Sequence, residues 1–114
     1  MMNKIFVYDL YGFVSDDLDS LALVLGEILQ IEWKMHYSSF LGDYYRFGKL
    51  VEENFQLQHN YVVEENDWTE SQFMNFPSLF YVNRTERSQL IEDLLKGKFL
   101  ADVSLLRHDS KTKT

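Results

Sequence analysis

Apolar and polar positions alternate from Ile31 onward, with Ile31, Trp33, Met35 and Tyr37 set against Glu32, Lys34, His36 and Ser38. A period of two marks a strand with one buried face, and these four apolar residues are expected at the edge of a core. The Gly-containing SSFLGD then offers a turn, and Tyr44-Tyr45-Arg46-Phe47 returns as a second aromatic strand. The spacing predicts a β-hairpin.

Upstream, KIFVYDLY at 4–11 is a short apolar run that suits a strand covered on both faces, with Gly12 allowing a turn after it. Ser15, Asp16 and Asp17 bring N-cap oxygens and negative charge to the start of a helix. Leu18, Leu21, Ala22, Leu25, Ile28 and Leu29 follow at spacings of three and four, predicting a helix over 16–30. Gly26 inside it costs about 1 kcal/mol relative to Ala, which fits close packing against a sheet or an early end.

Downstream, Phe55, Leu57, His59, Tyr61 and Val63 alternate with Gln56, Gln58 and Asn60, predicting a half-buried strand over 54–63. A loop EENDW, a helical turn at 69–73 and Pro77 lead to a short strand at 78–83. Thr85 is placed to cap a second helix with Leu90, Ile91, Leu94 and Leu95 as its buried stripe, closed by Lys96 and a left-handed Gly97. Phe99, Ala101, Val103 and Leu105 alternate as a last strand, and HDSKTKT is expected to fray.

The predicted order is β-α-β-β-β-(short α)-β-α-β. Each helical stripe needs a partner, and one sheet of five to six strands with both helices on one face serves both, an α+β, ferredoxin-like variant. A single domain is expected over 1–107 with a polar tail at 108–114. The other sheet face is expected to be partly open, carrying Glu32, Lys34, His36, Gln56, Gln58 and Asn60.

Composition narrows the function. A chain of 114 residues holds one core, and its 46% apolar content and 18 aromatic residues (two Trp, seven Tyr, nine Phe) exclude disorder. No Cys is present, which removes disulfides, thiolate metal sites and a cysteine nucleophile, and fits a reducing cytoplasm. With no signal-peptide core and no apolar run of membrane-spanning length, a soluble cytoplasmic protein is expected. The net charge of −7 disfavours nucleic acid and anionic membranes and favours a cationic partner. Between Leu50 and Asn83 lie Glu52, Glu53, Glu64, Glu65, Asp67 and Glu70 without one Lys or Arg. A solvated acidic face that keeps a small protein soluble is the plain reading of such a run.

No phosphate loop or dinucleotide fingerprint exists, and His36, His59 and His108 form no metal-ligand pair in sequence. Asp16, Asp17 and Asp19 are accounted for by helix capping rather than a cation loop, and Ser38 and Ser39 are not aligned with His36 for a triad. His59 is accounted for as a packing residue. No cofactor, metal or catalytic residue is expected, and the chain is not expected to be an enzyme. A binding surface remains: aromatic rings near predicted turns, among them Tyr44, Tyr45, Trp68 and Phe40, lie beside Asp43, Glu64, Glu65, Asp67 and Glu70. Rings supply desolvated anchors, and charges raise the on-rate for a basic protein. The same rings could equally be core residues merely flanked by acids.

The succession IFVYDLYG, SDDLDSLALVLGEIL and IEWKMHYSSFLGDYYRFG resembles small bacterial immunity proteins of contact-dependent growth inhibition and related polymorphic toxin systems, over about residues 5–60. The residues that carry it are the S-D-D-L of Ser15 to Leu18 and the S-x-x-G-x-Y-Y of Ser39 to Tyr45. The resemblance implies a cytoplasmic antidote without catalysis that binds a toxin C-terminal domain and blocks its active site, the toxin being a basic nuclease, an RNase in the first instance. Asp43, Tyr44, Tyr45, Glu64, Glu65, Asp67, Trp68 and Glu70 are then the candidate toxin-binding residues, and a monomer is expected. An acidic mimic of nucleic acid that inhibits DNA-handling proteins, and a small ligand-binding α+β domain with a cleft at His36 and His59, are the alternatives.

Overall fold

In the computed structural model, which describes residues 4–113, the elements follow the predicted order with one small addition. Strand β1 is Lys4–Phe13, helix α1 Leu18–Leu29, β2 Lys34–Ser38, β3 Gly42–Phe47 and β4 Asn54–His59. A two-stranded ribbon of β5 (Tyr61–Val62) and β6 (Asp67–Trp68) comes next, then β7 (Ser78–Thr85), α2 (Ser88–Phe99) and β8 (Val103–Lys113). The main sheet has six strands in the order β2-β3-β4-β7-β1-β8, every neighbouring pair antiparallel. The sub-order β4-β7-β1-β8, with α1 and α2 as its crossovers, is the ferredoxin-like arrangement; the β2–β3 hairpin extends it by two strands.

Both helices cover one face. Leu18, Leu21, Ala22, Leu25 and Leu29 of α1 and Ile91 and Leu95 of α2 close over Tyr11, Phe13, Phe55, Leu57, Phe80 and Val82. Each helix is short, so its stability comes from this buried stripe more than from propensity; removing a side chain as enclosed as Leu25 typically costs about 2–5 kcal/mol. Asp17 caps α1, accepting from the Ser20 N–H at 3.1 Å. Gln30 ends the helix in the left-handed region at φ 55°, the C-terminal device usually assigned to Gly.

Several expectations need correction. Gly12 makes no turn: β1 runs on to Phe13, and a Cβ at Gly12 would meet the Phe76 ring at 2.6 Å and Leu106 at 2.8 Å. Glycine is there because another layer lies on it. Asn60 and Gln58, assigned to an open face, are buried, because residues 60–77 fold back over that side of the sheet. The Asn60 amide donates to the carbonyls of Phe73 and Phe76 at 2.9 and 3.0 Å and its oxygen accepts from the Glu70 N–H at 2.8 Å. One buried side chain thereby satisfies backbone groups that a covered loop would otherwise strand.

In the hairpin the strand begins only at Lys34. Ile31 and Trp33 pack against the core, Trp33 donating its indole N–H to the Ala22 carbonyl at 2.8 Å, but Met35 and Tyr37 are exposed. They sit on the outermost strand, where alternation no longer implies burial. At the other edge, residues 108–113, expected to fray, pair with β1 from Lys4↔Lys113 to Asp9↔His108. Asp9 explains this anchoring: its buried carboxylate accepts from Ser88 Oγ at 2.6 Å and lies 2.6 Å from His108 Nδ1. Thr114 lies outside the described residues. In α2, Gly97 is an ordinary helical residue and Leu100 ends the helix at φ 54°, while Leu90 faces solvent. Thr85 serves the approach to the helix, accepting from the Arg87 N–H at 3.1 Å.

Candidate docking surface

Antiparallel pairing brings the start of β3, the end of β4 and the end of β1 to one end of the sheet, together with the N-terminus of α1 and the β5–β6 ribbon. The segments that build it, 14–20, 37–45 and 59–70, contain Asp16, Asp17, Asp19, Asp43, Glu64, Glu65, Asp67 and Glu70 and no Lys or Arg.

The hairpin tip is shaped by local chemistry. Ser38 and Gly42 pair across a three-residue loop, the Leu41 N–H reaches the Ser38 carbonyl at 3.3 Å, and Gly42 follows at φ 73°. This is a turn followed by a left-handed residue, for which Gly is the natural occupant. The Ser38 hydroxyl accepts from the Phe40 and Leu41 N–H groups at 3.0 and 3.2 Å, fixing the turn and leaving Phe40 72% exposed at its apex.

Behind the tip, Asp43, Met35, His59, Asp16, Asp17 and Asp19 line one hollow of about 280 Å³. Asp17 is committed to capping, and Ser20 holds its carboxyl below the usual range through side-chain and backbone hydrogen bonds. Asp19 accepts from the Tyr45 hydroxyl, which burial first and Asp19 second push up to about 12. Glu64, on the 3-10 turn after β5, brings its carboxylate over Gly42. The hairpin tip and the acidic loop, far apart in sequence, are therefore neighbours.

The eight candidate residues divide. Asp43, Glu64, Glu65 and Asp67 are exposed, the last accepting from the Trp68 N–H at 2.8 Å. Trp68 stands edge-on to Tyr61, ring centroids 5.2 Å apart, and stiffens the ribbon. Tyr44 and Tyr45 are not a turn pair: as neighbours on β3 they face opposite sides, Tyr44 stacked on His36 at 5.4 Å and Tyr45 against Trp33 at 6.1 Å under α1. Glu70 is half-buried and engaged within the fold. Burial would raise its pKa, but hydrogen bonds from Arg107 and Tyr81 outweigh that and hold it below the ordinary value. Residue type alone assigns Asp16 and Asp19 to capping and Met35, Tyr37 and Val63 to buried faces, whereas the structure brings Asp16, Asp19 and Met35 to this end and leaves Met35, Tyr37 and Val63 exposed. The signal for the first two was present: a strand preceding them and a hairpin following them deliver the helix start to the hairpin tip.

Among the described residues, no three His, Cys, Asp or Glu side chains assemble as metal ligands, and no helix is long and apolar enough to cross a membrane. In the Ser88, Asp9 and His108 group the carboxylate sits between hydroxyl and imidazole, so His108 is not on the hydroxyl it would have to activate. What this end of the molecule offers is a hairpin tip with the exposed rings of Tyr37 and Phe40, on segments whose charged residues are all acidic. The sequence matches no protein-family profile, and no curated protein sequence matches it.

Proposed function

We propose that the protein is an immunity protein that binds and neutralises a basic toxin domain, a nuclease of the RNase kind, by docking its acidic end over the toxin's active site in the cytoplasm. The observation that carries the reading is the approach of the acidic loop to the hairpin tip at Glu64 and Gly42, with Asp43 sharing a hollow with Asp16 and Asp19 and with Phe40, Tyr37 and Val63 exposed on the same segments. Exposed apolar residues on segments charged with a single sign suit a protein partner: the apolar groups gain from desolvation, and the carboxylates speed encounter with a cationic surface. A nuclease binds polyanions and so presents such a surface at its active site. The resemblance to bacterial immunity proteins over residues 5–60 points the same way. The protein acts by occupancy, with no chemistry of its own.

Coexpression tests the reading. Cells producing the toxin domain encoded beside this chain's gene should grow when the protein is present and die when it is absent; equal killing in both cases would end the proposal.

A further inference from the structure

We propose that β2 is a docking strand: it accepts an extended, basic segment of the partner protein as a seventh strand of the sheet. The inference rests on the reading of the protein as a binder of a basic partner and names the element that does the holding.

β2 is the last strand on its side, so the backbone groups on its outer edge have no strand partner among the described residues. Folds normally blunt such an edge with bulges, proline, inward charges or a covering element. The opposite edge is blunted in that way: β8 carries Arg107, His108, Asp109 and Lys111, and its register with β1 shifts between Leu10 and Tyr11. β2 is not. Its register with β3 is unbroken from Lys34↔Arg46 to Ser38↔Gly42, it holds no Pro, and on its helix-side face it shows Met35 and Tyr37, 59% and 65% exposed. Left open, a straight edge with exposed apolar side chains is a template for another strand.

The helix side of this edge also selects the occupant. At the Trp33 end lies a hollow of about 440 Å³ whose lining is mainly apolar, with Leu23, Ile31, Trp33 and Tyr45 and with Glu27 at its border, and at the other end lies the acidic hollow of Asp16, Asp19 and Asp43. Asp19 borders both. From Trp33 to Tyr37 a strand advances about 13 Å, so an incoming strand's helix-side residues pass from an apolar seat to an anionic one within two alternate positions. An extended segment with one apolar and then one or two cationic side chains on that face matches both. A second copy of this chain does not, because the helix-side residues of its β2, Met35 and Tyr37, carry no positive charge to meet the acidic hollow.

The test uses the whole protein and a synthetic probe, the capped peptide Leu-Thr-Arg-Thr-Arg and its reverse, each also N-methylated at alternate residues. Methylation keeps every side chain and charge but removes backbone donors. The expected result is slowed amide exchange confined to residues 34–38 and binding of the unmethylated peptide about tenfold or more tighter than the methylated one, the loss of two or three hydrogen bonds. Equal affinity of the two, protection elsewhere, or no binding of either overturns the proposal. So does protection of 34–38 without peptide that grows with protein concentration alongside a doubled mass, which would assign the edge to self-association. None of these outcomes alters growth in the coexpression experiment, whose failure would instead remove the neutralising function while leaving the edge result standing.

Discussion

The carboxylate of Glu64 lies over Gly42, so near that a Cβ on Gly42 would stand 3.3 Å from Glu64 Oε2. The approach sets the hairpin tip beside the acidic loop, and the φ of 73° at Gly42 makes the residue doubly constrained. Gly42→Ala should destabilise the protein by about 1–2 kcal/mol through its left-handed backbone, a fall of about 4–8 °C in Tm per kcal/mol. An unchanged melting curve would mean that the tip relaxes freely and does not hold the two segments together.

Asn60 is the node that folds residues 60–77 onto the sheet. Asn60→Ala leaves the Phe73 and Phe76 carbonyls and the Glu70 N–H without their buried partner, at a cost of about 3 kcal/mol. Hydrogen exchange should show 61–76 opening before β7 and β1. Uniform loss of protection across the sheet would show instead that the excursion and the sheet unfold as one unit.

Gly12→Ala probes the same layer from below, since its Cβ would overlap Phe76 and Leu106. Overpacking of this kind costs about 1–3 kcal/mol, and the variant should lose stability although no turn is involved. A neutral effect, measured by urea titration, would mean that Phe76 has room to move.

The fold was largely legible in the chain. The period-3.6 stripe of Leu18 to Leu29 and the alternation of Phe55 and Leu57 gave elements and faces directly, because burial there follows from position within the sheet. What failed has a common cause: alternation shows which residues share a face, not what covers it. Met35 and Tyr37 alternate like core residues but stand on the outer strand, while Gln58 and Asn60 look like solvent-facing residues but lie under a loop. The strand at 108–113 was hidden because its polar residues are retained by backbone pairing and by His108 on Asp9. At the candidate site the acids at 43, 64, 65 and 67 are visible as charge, but adjacency in sequence groups Tyr44 with Tyr45 although a strand sends neighbours to opposite faces.

Glu70 gives stability an acid limb. Its pKa is lowered in the fold by Arg107 and Tyr81 against the opposing effect of burial, so the folded state holds the proton less tightly than the unfolded chain does. The stabilisation is complete above the ordinary glutamate value of 4.5 and is lost as pH falls through the lower folded value. Glu53, held down by Arg87 and Thr85 in the same opposition to burial, adds to the same limb. Urea midpoints should drop between pH 5 and pH 3, and Glu70→Gln should lower stability at pH 7 while flattening that drop. An equally steep limb in the variant would place the titration elsewhere.

Docking of a basic protein on the acidic end is tested most directly by the association rate of this protein with the toxin domain encoded beside its gene. With Asp43→Asn, Glu64→Gln, Glu65→Gln and Asp67→Asn combined, stopped-flow mixing at low salt should show association slowed by about tenfold or more, with a weaker dependence on ionic strength. A rate and a salt dependence equal to those of the unaltered protein would contradict the claim.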